Sequence, residues 1–258
     1  MTDVHETAVI DPGARLGEAV RVGPYAVIGG DVEIGAGTTI GPHVVIHPHV
    51  RLGEESAVHA HAVLGDLPQD VAFTGAETRL EIGDRNMIRE NVTVHRASQP
   101  DRSTRIGSDC FLMAGSHVAH DCQVGDRVVL TNNVLLGVVV TVGDGANLGG
   151  GAVVHQFCRI GTLAMVGGLG GVGQDVLPYA MARGISARHF RLNTIGLRRA
   201  GIKGERYGAL ETAFRALRAG DRELGDAPDT PEVSHLRQWL AAPSKRGIAA
   251  WTKPGGGR

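Results

Sequence analysis

Three histidines in the second half of this 258-residue chain have the right type and setting for proton transfer: His117, His120 and His155. Imidazole is the side chain best suited to moving a proton near neutral pH. Asp121 follows His120 directly, and a carboxylate beside an imidazole fixes its tautomer and strengthens it as a base. Neighbouring residues of a strand point to opposite faces, so His120 and Asp121 can act together only at a corner of the chain. The preceding residues Met113-Ala114-Gly115-Ser116 are small and uncharged, which suits a cleft. A zinc site built from His95, His117 and His120 is a second chemistry. The three-residue spacing is poor for it, and Asp121 has no need of a metal; the expected set of metal ligands is none. A third reading is a non-catalytic binding protein in which these histidines are solvated side chains.

The elements that must position these residues are set by a six-residue repeat. Aliphatic residues stand at Ile10, Leu16, Val22, Ile28, Ile34, Ile40, Ile46, Leu52, Val58 and Leu64, again at Ile82, Ile88 and Val94, and then without a slip from Ile106 to Val172. Six matches neither the helical period nor two-residue alternation. It matches a short strand plus a turn, repeated around a prism. One inward aliphatic per hexad would line the core. The Gly that often follows it would let the chain bend without a steric penalty. Three hexads make a triangular coil, and parallel pairing stacks roughly eight coils about 4.8 Å apart into a prism roughly 40 Å long. Each coil buries its apolar residue only against its neighbours. The expected fold class is mainly β: a left-handed parallel β-helix with a small α-helical C-terminal domain. The 38 glycines and the 4% aromatic content agree with a core of Val, Ile and Leu.

Composition narrows the function. A net charge of −1 without a dominant basic patch argues against nucleic acid as a partner. No apolar run is long enough for a membrane span. Met1-Thr2-Asp3-Val4-His5-Glu6 lacks the pattern of a signal peptide, and Cys110, Cys122 and Cys158 form no CxxC pair. A reduced cytoplasmic protein, with the cysteines as packing residues, is the expectation.

The frame breaks at two inserted loops, 66–78 and 96–104, and loops that leave a rigid scaffold often carry binding groups. The domains are expected at 1–187 for the prism and 188–258 for the helical part. Leu210, Phe214 and Leu217 have helical spacing within 205–219, and Pro231 suits the first turn of a last helix near 231–240. The tail from Pro254 to Arg258 is expected to be mobile. The helical part would blunt the open end of the solenoid. Arg183, Arg188, Arg191, Arg198, Arg199, Lys203 and Arg206 form a basic stretch suited to an acidic partner.

Specific strings lie inside the frame. They are Gly83-Asp84-Arg85-Asn86-Met87-Ile88-Arg89-Glu90-Asn91-Val92-Thr93-Val94-His95-Arg96, His117-Val118-Ala119-His120-Asp121-Cys122, Val154-His155-Gln156-Phe157-Cys158, Met165-Val166-Gly167-Gly168 and Gln174-Asp175-Val176. Over roughly residues 5–202 the chain resembles the acyl-carrier-protein-dependent UDP-N-acetylglucosamine O-acyltransferases that start lipid A synthesis. The resemblance implies a homotrimer with sites between neighbouring prisms, and acyl carrier protein as acyl donor with no other cofactor. The acceptor it implies is a nucleotide sugar, acylated at its 3-position. It also implies that His120 is the general base and that Asp121 orients it. Asp70, His117, His155 and Gln156 match positions that contact the nucleotide sugar, and Asn193 and Arg199 match positions near its nucleotide end. Gly168 matches the position where side-chain bulk limits acyl length, and its lack of a side chain points to a longer chain.

Four places depart from that pattern. Ala72 stands where the family has Lys. Val138-Val139 replaces Gly-His, whose Gly supplies the oxyanion-hole N–H. Ile195 replaces Glu, and Ala200 replaces the second Arg of a pair. The hexad frame around Leu136 and Val142 is unbroken, so no alignment slip explains the valines. Val138 keeps the N–H but narrows the cleft. A site re-specified for a 3-amino or other nucleotide sugar is therefore the alternative within the same fold.

Overall fold

The computed structural model describes residues 2–252; the tail from Pro254 lies outside them. The repeat builds a left-handed prism with three walls of short strands, parallel except for one terminal hairpin, eight, nine and eleven strands deep. Each strand pairs with the one 18 positions on, as in Thr39 with Ala57. The step lengthens across the first insertion, where Ala57 meets Met87, and across the second, where Met87 meets Phe111. Both insertions leave the stacking intact because they leave and rejoin at the same corner.

The aliphatic frame from Val22 to Val172 is buried, as the repeat predicts. Each hexad also buries a second residue, two positions before the aliphatic one: Val20, Ala26, Val32, Val44, Val50 and Ala62 are all fully buried. The core therefore takes two side chains per hexad, not one. Cys110, Cys122 and Cys158 belong to this second row and are buried, their thiols pushed up to about 11, 12 and 11 by desolvation, which makes them packing residues. Where the row turns polar it pairs with itself. Ser56 N–H donates to Thr38 Oγ1, Asn86 N–H to Ser56 Oγ and Cys110 N–H to Asn86 Oδ1 (3.0, 3.1 and 2.8 Å).

The glycines do something other than bend the chain. The left-handed backbone falls on the third residue after the inward aliphatic, as at Asp31, His49, Asp121 and Phe157. Except at Gly65 (φ 81°), the Gly directly after the aliphatic is not left-handed; it is needed because the next coil passes close. A Cβ on Gly35 would lie 2.5 Å from the carbonyl carbon of Gly53, and one on Gly137 would lie 2.9 Å from the Gln156 nitrogen.

An antiparallel hairpin of Ala180–Arg183 with Arg188–Leu192 ends the deepest wall. Helices α1 (Thr194–Arg199), α2 (Glu205–Arg218) and α3 (Pro231–Ala241) follow. The short α1 was not foreseen. Leu192, Leu197, Leu210, Phe214 and Leu236 share a second core with Leu177 and Tyr179 from the end of the prism. The chain then returns to the prism, where Ile248 bridges to Asp175 and Trp251 to His189. Arg159 fastens the two cores together. Its Nε donates to the fully buried Asp175 carboxylate at 2.7 Å, and its guanidinium lies 4.0 Å from the Trp239 ring centre on α3.

Candidate active site

His120 and Asp121 are the two turn residues of one prism corner. Asp121 takes φ 63°, a region that Asp tolerates better than most residues. That turn lets the consecutive side chains meet: His120 Nδ1 donates to Asp121 Oδ2 at 2.7 Å. A carboxylate can only accept, so Nδ1 carries the proton and Nε2 is left with its lone pair. The corner projects outward, yet His120 is only 6% exposed and Asp121 7%. The second insertion covers them. Ser98 donates its N–H to Asp121 Oδ1 (3.1 Å) and its hydroxyl to Oδ2 (2.7 Å), and Thr104 Oγ1 accepts the Asp121 N–H at 2.8 Å. Burial alone would raise the Asp121 pKa, but the bonds from His120 and Ser98 outweigh it and hold the carboxyl below its usual range.

His117 stands on the adjoining strand, half-buried, with Nδ1 2.7 Å from Thr93 Oγ1. Its ring meets that of His95 edge-on, with centres 4.8 Å apart. Desolvation, with His95 nearby, pushes His117 down to about 4, so it is a neutral donor or acceptor at neutral pH. His95 is 6% exposed and its Nδ1 has no partner among the described residues. The ring nitrogens of His95, His117 and His120 do not converge within one chain. Among the described residues the one group with ligand atoms close enough for a metal is Asp31, His49 and Glu77, where Arg79 already faces both carboxylates.

Val138 and Gln156 occupy the His120 position on the next two coils, because Leu135 pairs with His117 and Val153 with Leu135. The Val138 carbonyl accepts the Phe157 N–H (3.0 Å), and the Val139 N–H donates to the His120 carbonyl (3.1 Å). Among the described residues the N–H of Val138 has no acceptor, so it can serve an oxyanion. Val139 adopts φ 57°, the one β-branched residue among the described residues with a left-handed backbone. His155 and Gln156 are exposed one coil above Gly137, and His155 Nδ1 donates to the Gln156 carbonyl at 3.2 Å.

The remaining expected residues lie further out. Asp70 is exposed on the first insertion, where its carboxylate accepts the Ala72 N–H at 2.9 Å. Gly168 is exposed, and a Cβ there would meet only the Gly150 backbone, at 3.4 Å and beyond. Asn193 is buried as the N-cap of α1: Oδ1 accepts the Gly196 N–H (3.1 Å) and Nδ2 donates to the Leu163 carbonyl (2.8 Å). Arg199 is exposed at the end of α1. Of the basic stretch, Arg206 is committed to Glu232.

The chain as a whole has close counterparts among known proteins. A protein of Alkalilimnicola ehrlichii named acyl-(acyl-carrier-protein)–UDP-N-acetylglucosamine O-acyltransferase is 50% identical over 257 residues, covering 96% of this chain and 99% of its own. One of the same name from Thiobacillus denitrificans is 46% identical over 256 residues, covering 96% and 99%. The chain belongs to this acyltransferase family. Its hexads at 13–47, 31–66 and 103–137 match the bacterial transferase hexapeptide (six repeats). Residues 175–249 match the second domain of UDP-N-acetylglucosamine O-acyltransferase. The solved acyltransferase of that name from Moraxella catarrhalis superposes with a TM-score of 0.91 at 38% identity, covering 95% of this chain and 99% of that one. The Acinetobacter baumannii structure gives 0.90 at 38%, with the same coverage.

Within this family frame the structure keeps His120 and Asp121 together and places His117 on the strand that leads into their corner. It adds Ser98, Thr104 and Thr93, which sequence reasoning missed. No local spacing ties Ser98 to Asp121, 23 residues away; only the folded insertion does.

Proposed function

We propose that the protein transfers a 3-hydroxyacyl group from the thioester of acyl carrier protein to the 3-hydroxyl of UDP-N-acetylglucosamine, the acylation that opens lipid A synthesis. The single observation that carries the assignment to this corner is the covered His120–Asp121 pair, with Nδ1 protonated and Nε2 free. A sugar hydroxyl is a weak nucleophile and needs a positioned base. Nε2 of His120 takes its proton as the oxygen attacks the thioester carbonyl. The carbonyl oxygen becomes an oxyanion, for which the Val138 N–H is a donor. Collapse breaks the C–S bond, and the thiolate leaves with the proton from His120. Asp121 holds the imidazole through both steps and offsets the charge it gains. Acyl carrier protein is the donor, and no metal or further cofactor takes part.

The working unit in this reading is a homotrimer with sites between neighbouring prisms. Leu135 and Val153 are 42% and 48% exposed on the wall that carries His117, an apolar stripe suited to a neighbouring copy. His95 Nδ1 and Arg96 Nε are buried without partners among the described residues of one chain, which a neighbour's polar groups would answer. The site of action in this reading is the cytoplasm; no described helix is long and apolar enough to cross a membrane.

Val138 and Val139 favour a second reading, in which the same chemistry acts on an altered acceptor. An apolar wall stands beside the base where the family has a His. The deciding experiment offers 3-hydroxyacyl carrier proteins of several chain lengths with UDP-N-acetylglucosamine or its 3-amino analogue. Transfer to the ordinary sugar supports the first reading. Transfer only to the amino sugar supports the second. Transfer to neither would overturn the first reading and leave another nucleotide sugar or a binding role.

A further inference from the structure

The second insertion is anchored more firmly than a surface loop requires. Arg96 N–H donates to the Asp66 carbonyl (3.1 Å) and Ala97 N–H to the Arg79 carbonyl (3.2 Å). Ala97 is fully buried, whereas Gln99, Pro100 and Asp101 stand in solvent. The last anchored residue is Ser98, and it bonds no backbone carbonyl. Both of its donors go to the one carboxylate that orients His120: the N–H to Oδ1 at 3.1 Å and the hydroxyl to Oδ2 at 2.7 Å. Oδ2 is also the oxygen that accepts from His120 Nδ1. The hydroxyl and the imidazole therefore converge on a single oxygen.

We propose that Ser98 is a positioning residue for the acyl transfer, clamping the Asp121 carboxylate so that its Oδ2 lone pair stays aimed at His120 Nδ1.

The geometry gives each contact a separate task. Thr104 Oγ1 holds the Asp121 main chain through its N–H and leaves the carboxyl group free to rotate. The Ser98 N–H fixes Oδ1, which stops the carboxyl from flipping. The Ser98 hydroxyl occupies a second lone pair of Oδ2 and leaves the imidazole the remaining direction. Without the hydroxyl, Oδ2 keeps its bond to His120 but the carboxylate loses one of the donors that hold its pKa down. The other groups around the pair are fixed. Thr104 is fully buried and His95 is nearly so, and a charge on His120 disfavours one on His95. Cys122, next in the chain, has its thiol pushed up by burial, with the Asp121 charge adding to it. The insertion is thus tied to the chemistry and also shields it, which explains why an outward corner is closed to solvent.

The inference rests on His120 acting as the base, so the test separates the two claims. Ser98→Ala keeps the backbone donor and removes the hydroxyl, Ser98→Thr keeps both, and His120→Ala is measured alongside. All three are compared with the unsubstituted protein by kcat, KM for each substrate, the pH profile of kcat and thermal unfolding. Loss of one hydrogen bond to a charged group predicts a roughly ten- to hundred-fold fall in kcat for Ser98→Ala, with both KM values unchanged. The acid end of its profile, where Asp121 protonates, moves to higher pH, because the carboxylate has lost a donor that favours its ionised form. Ser98→Thr restores both rate and profile. A wild-type kcat and profile in Ser98→Ala, with His120→Ala inactive, would overturn the role of Ser98 and leave the base intact. A fall in kcat that merely tracks a lowered melting temperature and is not restored by Thr would also overturn it. Activity in His120→Ala would instead remove the reading on which the inference rests.

Discussion

His120 and Asp121 are consecutive in the chain, yet their side chains meet at 2.7 Å because Asp121 carries the left-handed turn of its coil. Along a strand the same two residues would point apart. The repeat that places a left-handed residue at most corners is therefore also what makes a catalytic dyad from neighbours. Asp121→Asn tests this. Asn tolerates the left-handed backbone nearly as well as Asp, so the fold is expected to survive. Its amide can bond the imidazole in the wrong tautomer, and kcat is expected to fall about 10²–10⁴-fold with little change in melting temperature. Steady-state kinetics beside thermal unfolding would show whether rate and stability separate in this way.

Val139 is held at φ 57° although its branched side chain disfavours that region. The left-handed form costs a residue other than Gly about 1–2 kcal/mol. Asn relieves part of this, so Val139→Asn is expected to raise the melting temperature by about 2–4 °C. An unchanged or lower melting temperature would mean that Val139 packing outweighs the backbone strain.

Acid should loosen the molecule before its carboxylates are protonated. Burial pushes His189 down to about 4; its Nε2 accepts the Leu177 N–H at 2.9 Å, so the ring stays neutral in the fold. His117 is likewise pushed to about 4. The unfolded chain binds protons at these groups below about pH 6.5, while the folded chain resists until about pH 4. Stability is therefore expected to fall as pH drops through that window, by up to two protons' worth of slope. Asp121 acts with the same sign lower down, since its depressed folded pKa stabilises the fold only while it is ionised. Denaturant midpoints between pH 7 and 4 measure the slope. His189→Gln is expected to flatten it, and an equal slope in that variant would exclude His189 as a source.

Arg159 and the fully buried Asp175 join the prism to α3. Removing one partner of a buried pair strands the other charge, at a cost of about 3–5 kcal/mol. Arg159→Met is expected to lower stability on that scale and to increase hydrogen exchange in α3 more than in the central coils. Uniform exchange would mean that the two cores unfold together.

The sequence made the prism legible because one aliphatic residue recurs at a fixed position through coil after coil. It also exposed the two insertions, α2 and α3, each of which has its own periodicity or cap. The second inward row escaped notice because it mixes Val, Ala, Thr, Ser and Cys, which share small size rather than hydropathy. The glycine after each aliphatic was read as a bend, when its cause is the neighbouring coil 2.5–2.9 Å from the absent Cβ at Gly35 and Gly137. Six-residue α1 is too short to show a period. His120, Asp121 and His117 were visible through their residue types and strings. Ser98 was not, since its role depends on an insertion folding back across 23 residues.

The central claim is that His120 Nε2 takes the acceptor's proton. The most direct test is the single-turnover rate of His120→Ala with 3-hydroxyacyl carrier protein and UDP-N-acetylglucosamine, beside the wild type and with the melting temperature of both. The account predicts that acyl transfer falls to background while the fold is retained. Transfer at a rate near wild type in a folded His120→Ala protein would contradict it.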